Sequence, residues 1–103
     1  MAKKIVYCFD IDGVICSICG ADYEKTKPYL KRIKKINKLF NEGNKILLYT
    51  ARGTLTKKDW RKITQKQLKQ WKVKYHKLIM GKPFWNVYID DKAKSPQTFF
   101  KNA

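Results

Sequence analysis

The chain has 103 residues, a length that supports one small domain with a single modest core. Hydrophobic residues at 44% and aromatics at 14% exclude a disordered tail, and no apolar run approaches the roughly 20 residues of a spanning helix. Lys+Arg 24 against Asp+Glu 8 gives a formal net charge of +16, but Arg32, Arg52 and Arg61 are the only arginines and the lysines are spread along the chain, so most of the excess reads as solvated surface that suits anionic substrates as well as nucleic acid.

The N-terminus, Met1-Ala2-Lys3-Lys4, runs straight into a strand instead of the longer apolar segment of a signal sequence. Together with three cysteines, an odd number that argues against a disulfide framework, this points to the cytoplasm. Ile5-Val6-Tyr7-Cys8-Phe9 is continuously apolar and β-prone, the pattern of a central parallel strand covered on both faces, with Cys8 packed as a small hydrophobe. It ends in Asp10-Ile11-Asp12-Gly13-Val14. Side chains at i and i+2 point the same way on a strand, so the two carboxylates converge at its end, where they would bind a hard cation or divide nucleophile and acid duties.

The loop from Gly13 to Lys27 contains Cys16-Ser17-Ile18-Cys19, with the two-residue gap of redox and zinc motifs. It follows a strand-end loop and not a helix start, and Cys8 and His76, which would complete a zinc set, read as structural, so neither function is expected. Pro28 suits the first turn of a helix whose apolar face is Leu30, Ile33, Ile36, Leu39 and Phe40, and Gly43 caps its end. Lys45 to Thr50 makes a second strand that gives out into Thr50-Ala51-Arg52-Gly53. Thr56 then caps a second helix, on which Trp60, Ile63, Thr64, Gln67, Leu68 and Trp71 share a face and the tryptophans pack into the core. A third strand covers about His76 to Met80, Gly81-Lys82-Pro83-Phe84-Trp85 follows, Val87-Tyr88-Ile89 forms a fourth strand ending in Asp90-Asp91, and Ser95-Pro96 opens a short final helix.

Strands alternating with helices and right-handed crossovers predict an α/β domain over residues 1–103, a small Rossmann-like parallel sheet flanked by helices. Such sheets bind ligands beyond the carboxyl ends of their strands. Asp10 and Asp12, Thr50 and Arg52, Lys82, and Asp90 and Asp91 all fall there, and the acids meet only if the fourth strand lies beside the first, in the order 3-2-1-4. Clustered carboxylates call for a hard cation, Mg²⁺, while Lys82, Arg52 and the Thr50 hydroxyl suit a phosphate.

Phe9-Asp10-Ile11-Asp12-Gly13-Val14, Leu48-Tyr49-Thr50-Ala51-Arg52, Lys82 and Ile89-Asp90-Asp91, in that order, resemble the four motifs of haloacid dehalogenase-like phosphatases. The segment from Asp59-Trp60 to Asp91-Lys92-Ala93 is similar to small members of that family linked to bacterial capsule and lipopolysaccharide biosynthesis. The resemblance implies that Asp10 attacks phosphorus to give an aspartyl-phosphate and that Asp12 protonates the leaving oxygen and then deprotonates water. It further implies that Thr50 hydrogen-bonds the phosphoryl group and that Lys82 neutralises it and orients Asp10. Mg²⁺ would rest on Asp10, the backbone carbonyl of Asp12, and Asp90, with Asp91 a direct or water-mediated ligand; Gly13 and Ala51 would lie at the substrate, and Arg52, beyond the minimal motif, would grip the substrate phosphate with its planar fork. No cap domain fits after the first strand or before Lys82, which leaves an open site that Phe84 and Trp85 or a partner copy would cover. The expected activity is hydrolysis of a small phosphorylated substrate such as a sugar phosphate. A nucleic-acid 3′-phosphate end and a catalytically idle phosphate- or nucleic-acid-binding module are the alternatives, and no membrane partner is expected.

Overall fold

The computed structural model describes residues 4–102, so the reading of Met1 to Lys3 lies outside the described residues. Three parallel strands, β1 (Val6–Phe9), β2 (Lys45–Tyr49) and β3 (Lys77–Ile79), form one sheet in the order β1-β2-β3. The register pairs Phe9 with Leu48 and Leu48 with Leu78, so the three strands end together and deliver Asp10, Thr50 and Met80 to one edge. Helices α1 (Leu30–Asn41), α2 (Arg61–Gln70) and α3 (Pro96–Phe99) complete a small α/β unit. No helix among the described residues is long and apolar enough to cross a membrane.

The core forms where apolar periodicity meets the sheet. Ile33 and Ile36 of α1, Ile46 and Leu48 of β2, Leu68 of α2 and Leu78 of β3 are buried together. Leu30 stays exposed because the helix begins at that residue, after the Pro28 turn. The α1 terminus is a Schellman motif: Gly43, at φ +93°, donates its N–H to the Phe40 carbonyl, and Asn44 donates to that of Leu39. Asn44 then ties this end to β1, its Oδ1 accepting from Ile5 N at 3.0 Å. The same closure ends α2, with Lys72 at φ 58° where glycine is more usual. His76 is structural as expected, its Nδ1 accepting from Ile46 N at 3.0 Å. Ser95 caps α3 through Thr98 N, with Pro96 at its start.

Three expectations are corrected. Thr56 does not cap α2, which starts at Arg61; Asp59 Oδ1 instead receives Arg61 N at 3.0 Å. β1 is covered on one face only: Tyr7 and Phe9 pack against Phe99, and Phe9 also against Phe100, whereas Val6 and Cys8, on the opposite face, are exposed. Cys8 is therefore not a core residue. Finally, Val87–Ile89 pairs with no strand among the described residues, and its Val87 and Ile89 are 75% and 92% exposed. Local interactions hold this segment instead, with Trp85 stacked on Tyr88 at 4.6 Å and the Tyr88 hydroxyl donating to Asp90 Oδ2.

The β2–α2 loop depends on Gly53, at φ +84°, where an added Cβ would run into the Lys58 carbonyl. That is backbone against backbone and cannot relax by a rotamer change. Gly53→Ala is expected to destabilise the protein by about 1–3 kcal/mol, read as a lower urea midpoint; an unchanged midpoint would show that the loop refolds freely.

Candidate active site

Beyond Phe9 the chain turns sharply around buried Ile11, whose carbonyl accepts from Val14, Ile15 and Cys16 N. This turn needs Gly13 at φ +86°, which donates to the Cys16 carbonyl at 2.7 Å. The two aspartates it presents have different partners. Asp10 Oδ1 accepts from Ile11 N at 2.7 Å, and its Oδ2 accepts from Lys82 Nζ, also at 2.7 Å. Asp12 instead receives a bidentate fork from Arg52, Nε to Oδ2 and Nη2 to Oδ1, each at 2.9 Å.

Lys82 reaches Asp10 because its backbone is pinned on both sides. Its N–H donates to the Thr50 carbonyl at 3.1 Å, and its own carbonyl accepts from Thr54 Oγ1 at 2.7 Å. Its ammonium also lies 4.9 Å from the Trp85 ring. Asp10 keeps 36% of its side chain exposed and Lys82 16%, so this pair faces the opening of the site.

Arg52 lies beneath it, with no side-chain exposure. Its Nη1 donates to Thr64 Oγ1 at 3.1 Å and Gln67 Oε1 at 2.6 Å, its Nη2 also approaches Cys16 Sγ at 3.8 Å, and its guanidinium lies 4.7 Å from the Tyr23 ring. Every guanidinium N–H is thereby engaged. The expectation that Arg52 grips substrate gives way to a different geometry, in which it supports Asp12 from below. Thr50 is likewise buried, its Oγ1 accepting from Arg52 N at 3.1 Å, and Ala51 separates the two in the same turn.

Burial, reinforced by the charge of Asp12, pushes the Cys16 thiol up to about 12, and the same causes raise Tyr23. Cys16 is then an inert thiol at neutral pH, and Cys8, Cys16 and Cys19 are all free.

Asp10, Asp12, Thr50, Arg52 and Lys82 thus gather at one end of the sheet, whereas Asp90 and Asp91 are not brought to them. Asp90 accepts from Lys92 N at 2.6 Å and from the Tyr88 hydroxyl, bonds that hold its carboxyl below the usual range. Among the described residues, no three His, Cys, Asp or Glu side chains come together to hold a metal. A cleft of about 330 Å³ beside the site is lined by Lys57, Lys58 and Trp60 as well as Arg52. A larger groove of about 1090 Å³ follows α1 from Leu30 to Glu42 and includes Lys31, Lys34 and Lys38, but none of the strand-end residues.

Thr64, Gln67 and Tyr23 were not singled out as site residues from the sequence. Two polar residues three apart on the otherwise apolar stripe of α2 were the available signal, because buried polar side chains need partners.

No protein-family model and no curated protein matches the chain. It is similar to two solved structures. One is a structural-genomics target from Vibrio cholerae, with TM-score 0.86 and 26% identity over 98% of this chain and 90% of that one. The other is a chain of the Pnkp1/Rnl/Hen1 complex, with TM-score 0.60 and 17% identity over 96% of this chain and 34% of that one. The chain therefore spans about a third of the latter, and what it shares with it is a fold.

Proposed function

We propose that the chain is a Mg²⁺-dependent phosphomonoester hydrolase acting through an aspartyl-phosphate on Asp10, with a phosphorylated sugar or related biosynthetic intermediate as substrate. The observation that carries this reading is the division of two neighbouring aspartates between two cations. Asp10 lies against the Lys82 ammonium at 2.7 Å at the opening, while Asp12 is fixed on the Arg52 fork. Unlike surroundings for paired carboxylates are how sites separate a nucleophile from an acid and base. Lys82 orients Asp10 and offsets the negative charge of an arriving phosphate. Asp12 gives a proton to the leaving oxygen and takes one from water in the second half-reaction.

The same reading includes a fourth strand. Val87–Ile89 and the outer side of β1 both leave apolar side chains in water, Val6 at 62% exposure. Pairing Val87–Ile89 along the free edge of β1 would satisfy the backbone N–H and C=O groups there, set the order 3-2-1-4 of a haloacid dehalogenase-like sheet, and carry Asp90 and Asp91 toward Asp10 and Asp12. The available donors fit Mg²⁺. They are hard oxygens, and because Arg52 takes both carboxylate oxygens of Asp12, its main-chain carbonyl is the group left for a cation. When bound, the ion supplies the positive charge that lets carboxylates and phosphate share the site. The cleft lined by Lys57 and Lys58 suits an anionic leaving group.

The test is phosphate release from an aryl phosphate with Mg²⁺. Turnover that disappears with EDTA and returns with excess Mg²⁺ is the expected result; release indifferent to metal would sink the mechanism.

A further inference from the structure

We infer that Gln67 is a positioning residue for Asp12 and that it couples the Gly13–Lys27 flap to the proton-transfer step, an inference that rests on the hydrolase reading. Its side-chain amide works in two directions. Oε1 accepts from Arg52 Nη1 at 2.6 Å, and Nε2 donates to the Tyr23 carbonyl, also at 2.6 Å. Gln67 is buried, so neither bond has water as a ready substitute. On one side it sets the rotation of a guanidinium whose other edge holds both oxygens of Asp12. On the other it anchors the short helical turn Tyr23–Lys25 of the flap. Tyr23 completes the clamp, its ring lying 4.7 Å from the Arg52 guanidinium and meeting Trp60 edge-on at 4.8 Å. A flap that lifts must break the Gln67 bond and uncover Arg52, so the aim of Asp12 depends on the flap being down.

Asp12 matters most when the leaving group is poor. As an Asp10 oxygen bonds to phosphorus and the ester P–O bond breaks, the Asp12 proton passes to the departing oxygen, giving an alcohol, aspartyl-phosphate and the Asp12 carboxylate. An alkoxide needs that proton, whereas a nitrophenolate leaves without it.

The experiment compares kcat/KM for an alkyl phosphate and a nitrophenyl phosphate in wild type, Gln67→Met and Gln67→Glu, alongside hydrogen exchange of the flap amides of Ser17, Thr26 and Lys27. In Gln67→Met the alkyl ester should lose about tenfold and the nitrophenyl ester less than about twofold, with flap exchange about tenfold faster and β1–β3 unchanged. Gln67→Glu keeps the acceptor for Arg52 and loses the donor to Tyr23, so its flap should exchange fast and the alkyl ester should remain selectively slow; a restored ratio between the esters beside a fast flap would overturn the coupling. Equal losses on both esters would overturn the positioning role as mere structural damage. Unchanged flap exchange in both variants would overturn the coupling. A wild type that releases no phosphate would refute the hydrolase reading and with it the role in proton transfer, while exchange would still decide the flap anchor.

Discussion

Replacing Asp10 with asparagine is expected to lower phosphate release by about a thousandfold or more, because the amide keeps the shape of the side chain but removes the anionic nucleophile. The fold should survive. The bond from Ile11 N reaches an oxygen that asparagine retains, and the Lys82 pair is partly open to water, where an ion pair contributes about 0–1 kcal/mol. The comparison is therefore clean: activity measured beside a urea titration of the same protein, with the midpoint near that of wild type. Release retained at more than about a tenth of wild type would mean that another group attacks phosphorus. A large fall in the midpoint would instead assign Asp10 a structural role.

Arg52→Ala should damage stability and activity together. The substitution leaves Asp12, Thr64 and Gln67 without the group that satisfies them, in a position with no exposed side-chain surface. Breaking a buried pair from one side costs about 3–5 kcal/mol, most of it the penalty of an uncompensated carboxylate. Arg52→Lys should recover little of this, since a lysine cannot donate two parallel bonds to Asp12 and two more to Thr64 and Gln67. Urea unfolding measures the first effect and alkyl phosphate turnover the second. A loss below about 1 kcal/mol would mean that water enters and takes over the contacts of Arg52.

The sequence carried the three strands and their order because each is a short β-prone run bounded by turn residues, and it carried Asp10, Asp12, Thr50, Arg52 and Lys82 as strand-end residues because parallel strands end on one side. Gly43 and Ser95-Pro96 marked helix ends through local geometry that needs no knowledge of the fold. The start of α2 was harder. Thr56 has the chemistry of a cap, but the chain makes a turn through Gly53 and Lys57 first, both at positive φ, and α2 begins only at Arg61. The inward turn of Arg52 was not legible for a related reason. Its partners Thr64, Gln67 and Tyr23 are 12 or more residues away, and only the fold brings them together. The same holds for Val87–Ile89, where an apolar alternation marks a strand but the local Trp85, Tyr88 and Asp90 contacts compete with pairing.

The bare outer edge of β1 also gives the lysine excess a purpose. Among the described residues β1 pairs only with β2, so its other edge is a template on which a second copy could add, the first step toward aggregation. Lys4 precedes β1, Lys45 opens β2 and Lys77 opens β3, so charged gatekeepers flank every strand of the sheet. Two copies approaching along that edge would each carry a charge of +16. Their mutual repulsion disfavours pairing between copies, and screening by salt is what would weaken that protection.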